Sequence, residues 1–120
     1  GHIVNIGSIA GREVYPSGGV YCGTKFFVRA INKAMRLDLH ETGIRVTSVD
    51  PGLVHTEFSE VRFDGDEERA AHVYADTRPL SPEDVAEAVL WAVTRPPHVN
   101  VEELVLMPTD QASATRVHRR

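Results

Sequence analysis

The chain has 120 residues, enough for one domain and too few for two. Its 42% hydrophobic and 25% charged residues are those of an ordinary soluble globular protein, and 13 Lys+Arg against 17 Asp+Glu give a net charge of −4, which argues against a nucleic-acid binder. A single cysteine, Cys22, excludes a disulfide framework, the six histidines are scattered without metal-ligand spacing, and no apolar run is long enough to span a bilayer. The expectation is a protein without metal or membrane segment, in a reducing, cytoplasmic setting.

His2 to Ile6 is a short apolar, β-branched run and reads as a buried strand that Gly7-Ser8 ends. The chain does not begin with Met and opens directly in this strand, so residue 1 reads as an internal point of a longer chain. Ile9 to Gly19 is rich in Gly and Pro and reads as loop. From Val20 to Glu41 the spacing predicts a long helix, with Phe27, Ile31, Ala34 and Leu37 near one face and Phe26, Ala30 and Lys33 near another. That coverage is wide enough to bury more than one face. Gly43 is a C-terminal stop.

Ile44 to Val49 reads as a second strand, which Asp50-Pro51-Gly52 ends because Pro cannot donate to a ladder. The loop Leu53 to Phe58 follows. Ser59 to Arg78 is polar and reads as a solvated surface segment, with room for a short helix around Glu67 to Tyr74. Ser81-Pro82-Glu83-Asp84 is a helix start: Ser81 caps, Pro82 takes the first helical position and Asp84 closes a capping box. Val85, Ala88, Val89 and Ala92 give that helix its buried face, to about Thr94. Asn100 to Met107 is a third strand, and the basic end Arg116 to Arg120 reads as a solvated or subunit-contacting tail. Long helices between strands predict an α/β fold with a parallel sheet and right-handed crossovers. Three strands and two main helices leave apolar surface bare, which again reads as part of a larger unit.

Tyr21 and Lys25 stand four apart at the start of the long helix, so both project from one face. A phenol titrates near ~10 and an acid–base group works best nearer ~7, a gap of about 4 kcal/mol. A cation about 5 Å away supplies roughly 3 kcal/mol at an effective dielectric of about 20. In an open parallel sheet, ligands bind beyond the carboxyl ends of the strands. Ser8 after the first strand, Pro51 to Phe58 after the second, and Tyr21 and Lys25 at the helix start converge on that rim by topology. Ser8 would hold a substrate oxygen as charge develops on it. Alone, a Tyr-x3-Lys pair is usually a surface pair, a serine after a strand a turn residue and Pro-Gly a stop. Together and in this order on one rim they read as one site rather than as coincidence.

The set Asn5-Ile6-Gly7-Ser8-Ile9-Ala10-Gly11, then Tyr21-Cys22-Gly23-Thr24-Lys25 thirteen positions after the serine, then Asp50-Pro51-Gly52-Leu53-Val54-His55-Thr56, resembles the classical short-chain dehydrogenases/reductases. The resemblance implies that the catalytic residues are Ser8, Tyr21 and Lys25. Tyr21 would be the general acid–base, and Lys25 would bind the nicotinamide ribose and lower the tyrosine pKa. Ser8 would polarise the substrate carbonyl or hydroxyl, so that Ser8 and Tyr21 touch substrate. Pro51, Gly52, Leu53, Val54, His55, Thr56, Glu57 and Phe58 would join Tyr21 and Lys25 in holding the cofactor. The family's glycine-rich phosphate loop and the residues that choose NAD or NADP are missing from these residues. The chain therefore reads, over residues 1–120, as the C-terminal, catalytic half of one Rossmann-type, doubly wound NAD(P)-binding domain.

Thr24-Lys25-Phe26-Phe27-Val28-Arg29, Thr56-Glu57-Phe58-Ser59 and His98-Val99-Asn100 resemble more narrowly the NADP-dependent 3-hydroxy acid dehydrogenase branch, which acts on serine and malonic semialdehyde-type substrates. That implies NADP as cofactor, with NAD the alternative, a small-molecule substrate, and a homodimer or homotetramer packed through the long helix. Another ketoreductase of the same scaffold, or a non-catalytic nucleotide-binding or interaction module, are the competing readings. The intact Ser8, Tyr21 and Lys25 argue against the last. A hydroxy acid needs a cation for its carboxylate. Arg12 and Arg62 lie in loops that could overhang the site, though solvated arginines are the plainer expectation for both.

Overall fold

The apolar, β-branched runs become three parallel strands in a computed structural model that describes residues 1–120, the side chain of Glu60 excepted. The strands are β1 (His2–Ile6), β2 (Arg45–Pro51) and β3 (Glu103–Leu106), in the spatial order β1-β2-β3. Ile3 aligns with Val46 and Ile6 with Val49, while Ser48 aligns with Glu103 and Pro51 with Leu106. Between the strands lie α1 (Gly19–Leu39), α2 (Phe58–Arg62), α3 (Glu67–Tyr74) and α4 (Pro82–Val93). This is the expected α/β arrangement, with α1 and α4 as the main helices.

Successive residues Val46 to Asp50 are all buried, so both faces of β2 are covered. On one face Asn5 donates to Asn32 of α1 at 2.9 Å, and Asn32 donates to the Glu102 carbonyl at 3.3 Å. On the other, Arg45 reaches the C-terminal end of α4 and donates to the carbonyls of Arg95 (3.0 Å) and Val99 (3.2 Å). A cation there complements the negative end of the helix. The predicted capping box of α4 is present: Ser81 Oγ accepts from the Asp84 amide at 3.2 Å and the Asp84 carboxylate accepts from the Ser81 amide at 2.8 Å. Val85, Ala88, Val89 and Ala92 do form the inward side of α4, with Leu90 and Trp91 exposed.

The structure corrects four local expectations. The inward stripe of α1 is Cys22, Val28, Asn32 and Met35, whereas Phe26, Phe27, Ala34 and Leu37 face outward, Phe27 being 65% and Leu37 75% exposed. One face of α1 packs on the sheet, and the second apolar face is uncovered within this chain. Strand β2 continues through Asp50 to Pro51, because at Pro51 the ladder needs no amide donor: the Gly52 amide bonds the Leu106 carbonyl at 2.7 Å instead. Strand β3 starts at Glu103 rather than Asn100, since the Asn100 carboxamide itself pairs with Val46, accepting at 2.8 Å and donating at 2.9 Å. The segment Ser59 to Arg78 is largely exposed and holds the expected helix over Glu67–Tyr74, but it also carries most of α2, and Ser59 and Ala70 are buried.

The long helix ends at Leu39, one short 3-10 turn (His40–Thr42) ahead of Gly43, whose φ of 77° only glycine adopts freely. Among the described residues no helix is long and apolar enough to cross a membrane.

Candidate active site

Strand β1 delivers the chain to the rim at Gly7, whose amide extends the ladder to the Val49 carbonyl at 2.9 Å. A side chain at Gly7 would collide with the Asp50 carboxylate, so glycine is what lets β1 finish beside the end of β2. Ser8 then caps a 3-10 turn, Ile9–Gly11, and its Oγ accepts from the Ala10 amide at 3.0 Å. The cap fixes the oxygen as an acceptor and leaves its hydrogen free to donate. Gly11 lets this turn abut α1: a Cβ there would lie 2.8 Å from the Lys25 carbonyl oxygen.

Tyr21 and Lys25 occupy the first turns of α1 and share one face, as their spacing requires. Lys25 Nζ lies 5.8 Å from the Tyr21 ring centroid and donates to the Ile6 carbonyl at 3.4 Å. An ammonium has three donors, so two remain for hydroxyl groups of a ligand. The Tyr21 ring packs obliquely on Phe58, centroids 5.5 Å apart, and the next residue, Cys22, is buried.

These groups border one cleft of about 420 Å³, well within the range of small-molecule sites. Of the residues singled out from sequence, Ser8, Tyr21, Lys25, Pro51, Gly52, Leu53, Val54, Thr56 and Phe58 line it. His55 and Glu57 do not: both are exposed, and the His55 ring leans on Tyr74 at 4.5 Å. His55 follows Val54, which bridges Leu80, and its ring turns to Tyr74, while Glu57 is already the helical N-cap of α2.

Sequence reasoning missed what holds that segment in place. The Tyr74 hydroxyl sits at the hub of the Val54–Ser59 loop. It donates toward the Val54 carbonyl at 3.0 Å and lies 3.0 Å from Ser59 Oγ. Gln111 Oε1 accepts from the Leu53 amide at 2.8 Å and fills the space beside Gly52. Tyr74 and Gln111, like Tyr15 and Arg62, line the cleft. The only hint in sequence was that Tyr74 closes the short helix around Glu67 to Tyr74. The basic C-terminal tail is largely exposed, as expected of a solvated tail, and two of its arginines are also tied to the chain. Arg119 donates to the Ala75 carbonyl at 2.7 Å, capping α3, and Arg120 pairs with Asp110 at 3.1 Å.

Arg12 is not a free cation over the cleft. Its Nη2 pairs with Asp50 at 3.2 Å and with Glu103 at 2.6 Å, and Arg29 adds a third contact to Glu103 at 3.0 Å. Burial would raise the Glu103 pKa, but hydrogen bonds from Arg29 and Arg12 and their charges prevail and hold it at about 2. Arg62, by contrast, does line the cleft, with its guanidinium carbon 5.9 Å from the Tyr21 ring centroid. Among the described residues no cluster of three or more His, Cys, Asp or Glu could hold a metal ion.

Comparison with known proteins gives a consistent picture. A family model described as short chain dehydrogenase matches residues 1–67. An NADP-dependent 3-hydroxy acid dehydrogenase, YdfG, of Salmonella typhi is 52% identical over 121 residues, covering 99% of this chain and 49% of the relative. The NADP-dependent 3-hydroxy acid dehydrogenase of Schizosaccharomyces pombe is 48% identical over 120 residues, covering 100% of this chain and 46% of its own length. A solved structure described as the closed form of serine dehydrogenase complexed with NADP+ superposes with a TM-score of 0.92 at 52% identity, over 100% of this chain and 49% of that one. The chain thus spans about half the length of the curated relatives it matches.

Proposed function

Since the chain belongs to the short chain dehydrogenase family, we propose that it carries the catalytic residues of an NADP-dependent oxidoreductase that interconverts a small 3-hydroxy acid and its oxo acid or semialdehyde. The observation that carries this reading is the convergence of Ser8, Tyr21 and Lys25 on one cleft at the carboxyl rim of the parallel sheet. The names of the relatives, 3-hydroxy acid dehydrogenase and serine dehydrogenase with NADP+, support the substrate class and the cofactor.

The donor set suits the nicotinamide end of the cofactor. Lys25 keeps two N–H groups for ribose hydroxyls, and the wall from Pro51 to Thr56 offers a rigid backbone edge pinned by Tyr74 and Gln111. The sequence has no G-x-G-x-x-G phosphate loop, so these residues account for the reactive end of a dinucleotide and not for its phosphates. When bound, the cofactor supplies or accepts the hydride. Ser8 O–H donates to the substrate oxygen, positioned by its cap on Ala10. Tyr21 gives its phenolic proton to that oxygen during reduction and takes it back during oxidation. Lys25 Nζ, 5.8 Å from the ring centroid, places a positive charge beside the phenol where the proton is transferred.

The test follows NADPH absorbance with the intact protein. L-serine and 3-hydroxypropionate are expected to drive NADP reduction, and malonic semialdehyde NADPH oxidation. No turnover of any of them would overturn the reading. We infer further that a second copy covers the outward apolar face of α1 (Phe27, Ala34, Leu37), giving a homodimer or homotetramer. A monomer by light scattering would contradict it. A reducing, cytoplasmic setting belongs to the same reading and suits the lone, buried, unpaired Cys22.

A further inference from the structure

We propose that Arg62 is the residue that recognises the substrate carboxylate, and so selects short hydroxy acids over neutral alcohols; the inference rests on the oxidoreductase reading. A carboxylate entering a cleft with apolar walls loses its hydration and needs a cation with directed donors. Among the residues that line the cleft, the side-chain cations are Lys25 and Arg62. Lys25 lies against the Ile6 carbonyl and the Tyr21 ring, at the reactive end. Arg12, the other arginine near the rim, is engaged by Asp50 and Glu103. That leaves Arg62.

The surroundings of Arg62 are suited to the task. It is the last residue of α2, at the open side of the cleft. Its guanidinium carbon lies 5.6 Å from the Tyr15 ring centroid, 5.9 Å from that of Tyr21 and 5.4 Å from that of Phe63. Ring faces attract a cation without consuming its N–H donors. Among the described residues, no carboxylate lies within ion-pairing distance of Arg62. Three aromatic rings therefore flank an exposed planar fork that keeps, besides one donor within reach of the Tyr15 hydroxyl, enough N–H groups for two parallel bonds to a carboxylate.

Both Lys25 and Arg62 stand about 6 Å from the same Tyr21 ring. An acid with its reacting carbon at Tyr21 and its carboxylate a bond or two away can reach Arg62.

The experiment compares malonic semialdehyde with its methyl ester, which keeps the shape and removes the charge. The unsubstituted protein should prefer the acid. In Arg62→Ala the ratio of kcat/KM for acid over ester should fall by about 10–100-fold, chiefly through KM for the acid. Arg62→Lys should recover part of the ratio, and Arg62→Met, which retains the apolar stem against the rings, should behave like Arg62→Ala. An unchanged ratio in Arg62→Ala and Arg62→Met, whether both substrates suffer equally or neither does, would overturn the role of Arg62 and leave the oxidoreductase reading standing. Failure of the unsubstituted protein to turn over either substrate would instead overturn that reading, and this inference with it.

Discussion

Replacing Tyr21 with phenylalanine should lower kcat for NADPH-dependent reduction of malonic semialdehyde by about 10²–10⁴-fold, the usual worth of a positioned general acid–base. The substitution is well matched to the structure. The Tyr21 ring is half-buried, stacks obliquely on Phe58 at 5.5 Å and lies beside Arg62 and Lys25. Phenylalanine keeps every one of those ring contacts. Among the described residues, the Tyr21 hydroxyl makes no hydrogen bond within the chain, so its removal leaves no buried partner unsatisfied. Stability should therefore change by less than about 0.5 kcal/mol, and the loss should lie in kcat rather than in substrate KM. Urea unfolding and steady-state kinetics on the same preparation separate the outcomes. A rate undiminished by Tyr21→Phe would mean that another group moves the proton, and Ser8 would be the next to remove.

The site was readable from sequence where topology alone assembles it. Ser8 follows β1, Pro51 ends the neighbouring parallel strand β2, and Tyr21 and Lys25 open the helix between them, so the rim collects them whatever the packing details. The inward face of α1 was not readable, because the side chain at its centre is polar. Asn32 is fully buried, satisfied by Asn5 and the Glu102 carbonyl, while the larger apolar Phe27 and Leu37 face outward. Hydrophobic periodicity assigns such phenylalanines to the core. It has no means of knowing that Asn32 meets partners 27 and 70 residues away. The same holds for Ser59 to Arg78, whose fixed points are the Tyr74 hydroxyl and the tail arginines rather than an apolar stripe. Arg12 was misjudged for a related reason: Asp50 is 38 residues distant and Glu103 91.

Arg12→Met should be the most destabilising of the conservative changes around the cleft, by about 3–5 kcal/mol at neutral pH, because it strips a partner from two inward carboxylates. Asp50 has a side chain only 3% exposed; without Arg12 it would keep the Ser48 hydroxyl, 2.6 Å away, as its one remaining side-chain partner among the described residues. Glu103, 17% exposed, would retain Arg29 and a looser contact with Lys33 at 3.5 Å. The pH dependence discriminates this network from mere packing. In the unfolded chain Glu103 titrates near 4.5, and in the fold it is held at about 2. A depressed folded pKa contributes stability that is complete above about 4.5 and is lost as pH falls toward 2. With the exposed edge of the cluster screened by solvent, that contribution is about 2 kcal/mol. Removing Arg12 should raise the folded pKa of Glu103, so the acid loss should shrink and start from an already lower plateau. Urea denaturation of the intact protein at pH 7 and pH 3 measures both effects. The difference between Arg12→Met and the unsubstituted protein should be larger at pH 7 than at pH 3. An equal difference at both would show that Arg12 acts through its bulk, and that the link it makes between Asp50 of β2 and Glu103 at the start of β3 is not held by charge.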